Sequence, residues 1–190
     1  MSDERVERIL DAAYACFAKH GLRRTTMDDI AVAAGMSRPA VYQYVRNKDD
    51  AFRRLADRMF TTALTAARDA AATPGAPATR LTAICTVKLE LTLKIWADSP
   101  HAAELLATNT RLAADAAFTG AMHDLLTEVL TTAADAGELD LSPVGGDAGE
   151  TAELLLALTR GLEADPTRPD LPHRRLRDGI ALLTAGLTPR

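Results

Sequence analysis

The sequence predicts an all-α protein made of two differently composed parts, on three observations. Apolar residues recur at helical spacing along most of the chain, and alternating strand-like runs bounded by turns are nearly absent. Glycine, proline and capping residues also cut the chain into pieces of helix length. With 190 residues, 47% apolar and 25% charged, it can bury a core and makes one domain or two small ones. No run approaches the roughly 18 uncharged apolar residues of a membrane span. The opening Met1-Ser2-Asp3-Glu4-Arg5 lacks the basic-then-apolar build of a secretory signal. Cys16 and Cys85 lie in apolar runs without metal-ligand spacing, which argues against a disulfide framework or zinc finger and for a reducing cytosol.

Each element follows from local signals. Val6, Ile9, Leu10, Ala13 and Phe17 form the stripe of a first helix that closes at Lys19-His20-Gly21, with cationic residues in the last turn and a glycine stop. Thr26 and Asp29 are spaced as a capping box for a short second helix that buries Met27, Ile30, Ala31 and Ala34 and stops at Gly35. Ser37 caps a third helix, Pro39 sits in its first turn, Val41, Tyr44 and Val45 share one side, and it ends near Arg46-Asn47. Asn47 with Asp50 caps a fourth, from about Lys48 to Ala72, which breaks at Thr73-Pro74-Gly75-Ala76-Pro77. Further helices are expected at about 78–97, 100–109, 111–136, 149–164 and 173–187, separated by Ser99-Pro100, the Gly137–Gly149 loop and the stretch from Asp165-Pro166 to Pro172.

Charge and aromatic content divide the chain. Residues 1–60 hold 11 Lys and Arg against 9 Asp and Glu, whereas residues 61–190 hold 11 against 17, so the net charge of -4 conceals a locally basic N-terminal part. Between Lys19 and Arg54 the ratio is 8 to 4. Six of the eight aromatic residues lie in the first 60; only Trp96 and Phe118 lie beyond.

Two short helices across the Gly35-Met36-Ser37 turn have the spacing of a helix-turn-helix, whose second helix enters the major groove of DNA. Thr26, Ser37, Tyr42 and Lys48 bring hydroxyls, a helix N-terminus and an ammonium suited to phosphates. Arg38, Pro39 and Gln43 would face base edges, where Arg pairs with guanine and Gln with adenine, and Tyr44 joins the DNA-facing set. By spacing alone, a capped hairpin inside an ordinary bundle stays equally open; the polar flank of Arg38, Gln43, Arg46 and Lys48 favours DNA.

The segments Ile9-Leu10-Asp11-Ala12-Ala13, Phe17-Ala18-Lys19-His20-Gly21, Thr25-Thr26-Met27-Asp28-Asp29-Ile30-Ala31, Ala34-Gly35-Met36-Ser37, Val41-Tyr42-Gln43-Tyr44-Val45 and Asn47-Lys48-Asp49-Asp50-Ala51-Phe52, in this order, resemble the DNA-binding domain of TetR-family transcriptional regulators. The resemblance covers residues 5–55. It implies that Thr26, Ser37, Tyr42 and Lys48 bind phosphates and that the recognition helix begins near Ser37. Pro39 departs from the small residue frequent in the family, and Val45 from the usual Phe. The resemblance further implies a helix-turn-helix domain over 1–47 and a helical ligand-binding and dimerisation domain over 48–190. The function it implies is a cytoplasmic, bacterial, non-enzymatic repressor. Its partners would be a palindromic double-stranded DNA operator, a second copy of the chain and a small-molecule effector of unspecified identity, with no cofactor.

Beyond residue 56 the signals are weaker. Cys85, Trp96, His101, Asn109, Phe118, Met122 and His123 introduce polarizable or hydrogen-bonding groups into Ala/Leu-rich helices and are candidate pocket residues. His101 and Glu104 share a helix face, but two ligands do not make a metal site. Ala152, Leu154, Leu155, Leu156, Ala157, Leu158 and Leu162 leave the eighth helix apolar around most of its circumference, and Leu176, Ile180, Leu183 and Leu187 stripe the ninth. Leu154, Leu155, Leu158 and Leu162 with the four of the ninth helix are the expected seam of a homodimer, or alternatively close the monomer core. Two rival functions remain: a small helical metal- or ligand-binding enzyme, for which no Glu-x-x-His pair, catalytic triad order or phosphate loop is found, and a helical protein-interaction module.

Overall fold

The structure is a computed structural model that describes residues 2–163 and 170–189. Nine α-helices and one 3-10 turn occur among the described residues, and no strand. The helices are α1 (Ser2–Arg24), α2 (Met27–Ala33), α3 (Arg38–Tyr42), α4 (Lys48–Ala72), α5 (Pro77–Asp98), α6 (Ala102–Asn109), α7 (Ala113–Asp135), α8 (Ala148–Glu163) and α9 (Asp170–Gly186). The 3-10 turn Ser142–Val144, unforeseen in the Gly137–Gly149 loop, starts where Pro143 fixes φ and ends at Gly145 with φ 86°. Most of the expected Asp165–Pro172 separator lies outside the described residues.

The chain packs into two compact units. The first comprises Met1–Thr61 and Lys94–Ala116, the second Thr62–Leu93 and Ala117–Arg190. In the first unit α1 packs on α2 and α6, and α2 on α3. The stripe expected on α1 is its buried face: Ile9, Ala13 and Phe17 meet Ile30, Val41, Val45, Ala51, Phe52 and Leu55 in one core. Phe17 and Phe52 stack edge to face, with centroids 5.6 Å apart. Within that core Val45, the smaller plug, is 1% exposed.

Caps define the short helices. Thr26 Oγ1 accepts from Asp29 N–H at 3.2 Å, and the Asp29 carboxylate accepts from Thr26 N–H at 2.8 Å, the reciprocal pairing of a capping box. Ser37 caps α3, and Asn47 Oδ1 caps α4 by accepting from Asp50 N–H at 2.8 Å. Helix α1 bends at Gly21 (φ 76°, ψ 160°), where the sequence placed its end, and resumes for one turn to Arg24. Helix α3 is shorter than expected. Past Tyr42 its backbone tightens, with Tyr44 N–H bonding Val41 C=O three residues back, so Tyr44 and Val45 lie in the closing turn.

The second unit is built on the interlocked faces of the remaining helices. Leu81, Ile84, Leu89, Met122, Leu126, Leu130, Leu155 and Leu176 are all essentially fully buried there. Helices α8 and α9 pack on one another so closely that a Cβ on Gly179 would lie 2.8 Å from Leu158 Cδ2. Lys88, 9% exposed, donates to Glu163 at 2.6 Å, which neutralises both charges inside this unit.

Candidate nucleic-acid interface

The α2–α3 pair is held from below and bare on top. Val41 and Val45 anchor α3 in the first unit's core, while Ser37, Arg38, Pro39, Tyr42 and Gln43 all stay exposed. Gly35, at φ 64°, makes the turn that sets the two helix starts side by side. Arg38 Nη1 then reaches Asp28 Oδ2 at 3.2 Å and Nη2 reaches Tyr42 Oη at 3.4 Å, with the guanidinium 5.6 Å from the Tyr42 ring centre.

The four phosphate candidates differ in what they have left to give. Ser37 Oγ accepts from Ala40 N–H, and Tyr42 Oη accepts from Arg38, so each hydroxyl keeps its own hydrogen for an outside acceptor. Thr26 donates its hydroxyl hydrogen to Asp29 at 2.7 Å. That hydrogen bond, followed by the one from Thr26 N–H, holds the Asp29 carboxyl below its ordinary value. Lys48 is the most heavily engaged, its ammonium donating to Leu22 C=O at 2.9 Å, Arg23 C=O at 2.8 Å and Thr25 C=O at 3.1 Å. Its three N–H groups thereby cap the Leu22 and Arg23 carbonyls in the last turn of α1 and the Thr25 carbonyl just beyond it. Tyr44, half-buried, accepts from Arg5 Nη1 at 3.2 Å.

Two charged residues beside α3 are not legible in the sequence. Arg5 and Asp28 touch Tyr44 and Arg38 across 39 and 10 residues of sequence, and no periodicity carries such information. Behind α3, Asp50 is buried. Burial opposes its ionisation, but the Arg46 N–H and the Arg54 and Arg53 guanidinium groups outweigh that and hold the carboxyl below its usual range.

The candidate pocket residues divide between the two compact units. Trp96, His101 and Asn109 belong to the first unit, whereas Cys85, Phe118, Met122 and His123 belong to the second. Trp96 packs on the first unit's core. The His101 ring lies beside Gly21, and Asn109 Oδ1 is buried without a partner. Asn109 also lines an apolar cavity of about 30 Å³ with Tyr14, Phe17, Phe52, Met59 and Ile95, far below the roughly 300 Å³ at which small-molecule pockets begin. In the second unit Phe118 and Met122 are buried, and a His123 ring nitrogen meets Gly149 C=O at 3.1 Å. Cys85 is fully buried, and that burial pushes its thiol up to about 11 against the opposing hydrogen bond with Thr159, an inert thiol by reactivity. Among the described residues no group of three metal-ligating side chains comes together.

The expected dimer seam needs correction on four of its eight residues. Leu155, Leu176, Ile180 and Leu187 are at most 2% exposed within the single chain, so they close its own core and face no partner. A stripe shows which side of a helix is apolar but not whose atoms cover it. Leu154 is 52% exposed, Leu158, Leu162 and Leu183 are half-buried, and Leu182, which the sequence reading had passed over, is 76% exposed.

Comparison with known proteins agrees with this geometry. Residues 9–55 match the family model described as bacterial regulatory proteins, tetR family. The Escherichia coli K12 protein named probable acrEF/envCD operon repressor is 39% identical over 49 residues, covering 26% of this chain and 22% of that one. The Pseudomonas putida regulator TtgR is 38% identical over 61 residues, 32% of this chain and 29% of that one. This chain therefore spans less than a third of the length of these curated relatives. Whole-chain likeness appears in solved structures. A fatty acid degradation regulator, FadR from Bacillus halodurans, superposes with TM-score 0.73 at 17% identity over 98% of this chain and 97% of that one. SmeT, the repressor of a Stenotrophomonas maltophilia efflux pump, gives 0.70 at 23% identity over 97% and 90%. At these identities the superpositions speak for the fold alone. The capped α2–α3 pair thus lies within the segment, residues 9–55, that is similar to bacterial regulatory proteins of the tetR family, and the whole chain shares an all-helical fold with these solved regulators.

Proposed function

We propose that this protein is a cytoplasmic, ligand-responsive transcriptional repressor that binds a palindromic DNA operator as a homodimer. The observation that carries the reading is the exposed rim of α3. Arg38, Pro39, Tyr42 and Gln43 project from a helix whose other side is fixed by Val41 and Val45 in the core. A rigid short helix with a polar outer rim is what major-groove reading requires. Residues 1–47 carry the recognition, and residues 48–190 carry effector binding and dimerisation. Ser37 and Tyr42 give hydroxyl hydrogens to phosphates. Thr26 stands at a helix N-terminus, and Lys48 supplies charge while its N–H groups stay on the α1 carbonyls. Arg38 and Gln43 read bases.

Two heads about 34–36 Å apart meet successive major grooves, so one copy of α3 per subunit reads one half-site. The exposed Leu154 and Leu182 of α8 and α9, with the half-buried Leu158, Leu162 and Leu183, form the seam. An effector releases the operator by preferring another conformation, with a coupling of typically about 1–3 kcal/mol. Helix α4 is the lever, since its residues run through both compact units without a break.

The test is duplex binding by the purified chain across a salt series. Log affinity falls linearly with log salt, with a slope of about -0.9 per phosphate neutralised. Tyr42→Phe weakens binding to every sequence alike. Weak association that does not change with salt would transfer the case to a helical protein-interaction module.

A further inference from the structure

We infer that Asp28 is a positioning residue for base recognition. It aims the Arg38 guanidinium at a guanine in each half-site, and its negative charge weakens binding to all other DNA. This rests on the DNA-binding reading above and deepens it.

The geometry is a three-part clamp. Asp28 lies in the first turn of α2 and Arg38 opens α3, and the Gly35 turn brings them together. Asp28 Oδ2 holds Nη1 at 3.2 Å, while Tyr42, one turn further along α3, accepts from Nη2 at 3.4 Å and lies under the guanidinium. A lone arginine on an exposed helix start samples many rotamers. Here two tethers on the two terminal nitrogens restrict it. The guanidinium has five N–H donors, so two tethers leave three, and a guanine needs two, for O6 and N7. Arg38 is therefore held without being used up.

Asp28 does not serve the fold. The Asp28 and Arg38 side chains are 64% and 56% exposed, and an ion pair in such a setting adds little to stability. Its effect falls on DNA instead. Without Asp28, the Arg38 charge is free to swing to any phosphate, a contact that carries no sequence information. With it, the pair is electrically neutral towards the backbone, and the only gain left to Arg38 on docking is a base edge. Asp28 also offers acceptors alone, so a base that presents acceptors towards it is repelled, whereas a cytosine amino group is tolerated. One carboxylate thus lowers general affinity and raises discrimination.

These two signs make the test. Full-length protein, Asp28→Ala and Asp28→Asn are titrated with a random-sequence duplex and with duplexes selected by the wild type from a randomised half-site library. The wild-type selection is expected to contain one invariant guanine per half-site. Asp28→Ala is expected to bind random duplex several-fold tighter, with a salt slope steeper by about one phosphate per subunit. Its preference for that guanine is expected to drop roughly tenfold. Asp28→Asn, which keeps an acceptor oxygen, recovers part of the preference. Arg38→Ala abolishes it, and Asp28→Ala added to Arg38→Ala changes it no further. Unchanged guanine preference in Asp28→Ala overturns the inference, as does an equal loss of affinity for random and selected duplexes, the mark of a structural role. If the wild type shows no salt-dependent duplex binding at all, the DNA-binding reading itself fails before any variant is compared.

Discussion

Lys48→Met should destabilise the first compact unit by about 2–3 kcal/mol, even though Lys48 resembles a surface residue in the sequence. Its ammonium bonds three carbonyls, two of them in part-buried settings (Leu22 at 2.9 Å and Thr25 at 3.1 Å) and one exposed (Arg23 at 2.8 Å). A hydrogen bond to a charged group contributes about 1.5–3 kcal/mol net. The exposed carbonyl can turn to water, so only the two sheltered ones count; at the lower end of that range they sum to about 3 kcal/mol, and their partial exposure brings this to about 2–3 kcal/mol. Methionine keeps most of the side chain's apolar stem, so the loss isolates the hydrogen bonds. Urea unfolding followed by tryptophan fluorescence reads the effect where it occurs, because Trp96 is the single tryptophan and packs on this unit's core. For a chain of this size the thermal midpoint would fall by about 5–10 °C. A variant with an unchanged urea midpoint would show that the three carbonyls are satisfied as well by water, and the capping role of Lys48 would be wrong.

Gly21→Ala should cost more than about 1 kcal/mol in the same assay. The residue sits at φ 76°, and a Cβ would lie 2.5 Å from Glu104 Oε2 and 3.2 Å from the His101 ring; retention of full stability would mean the bend relaxes freely. Leu154→Arg together with Leu182→Arg should give monomers in sedimentation that remain folded, with helical circular dichroism unchanged, since both side chains are largely exposed on the single chain. A persistent dimer would move the seam elsewhere. Leu158→Arg is a poor substitute, because Leu158 packs over Gly179 and its loss would damage the α8–α9 contact itself.

What the sequence disclosed depended on how far apart the interacting residues lie. Thr26 and Asp29, Ser37 and Ala40, and Asn47 and Asp50 are each three apart, and a cap is a local device, so every helix start in the reading head was legible. The face of α1 was legible for the same reason. Pairings across long stretches were not: Lys48 with the end of α1, Tyr14 with Asp98, Ser99 with Ala18. The apolar stripe of α9 was legible as a stripe, but whether its own chain or a partner covers it was not. Leu176, Ile180 and Leu187 are covered by their own chain, and nothing in an i, i+4, i+7 pattern separates burial by self from burial by a partner. For the candidate pocket residues, a hydrogen-bonding side chain among alanines and leucines signals a change of polarity but does not say which other side chains share its surroundings.

The interactions around the end of α1 bear on where the reading head stops. Ser99 Oγ donates to Ala18 C=O at 2.8 Å, Arg23 N–H donates to Glu104 at 3.2 Å, and Lys48 closes on Leu22, Arg23 and Thr25. Thr25, 1% exposed, ties the corner from inside through Cys16 C=O and Gly21 C=O. The α1–α2 corner directs α2, and α2 directs α3 through the Gly35 turn. The orientation of Arg38 and Tyr42 is thus set partly by Lys48, Ser99 and Glu104, all of which lie outside the α2–α3 pair itself. In the proposed regulator this supplies a physical route for control: a shift of α6 would act on Arg23 and Gly21 through Glu104 and His101, and so on the corner from which the reading helix is aimed. The α2–α3 pair is therefore held in register by side chains as distant in sequence as Glu104.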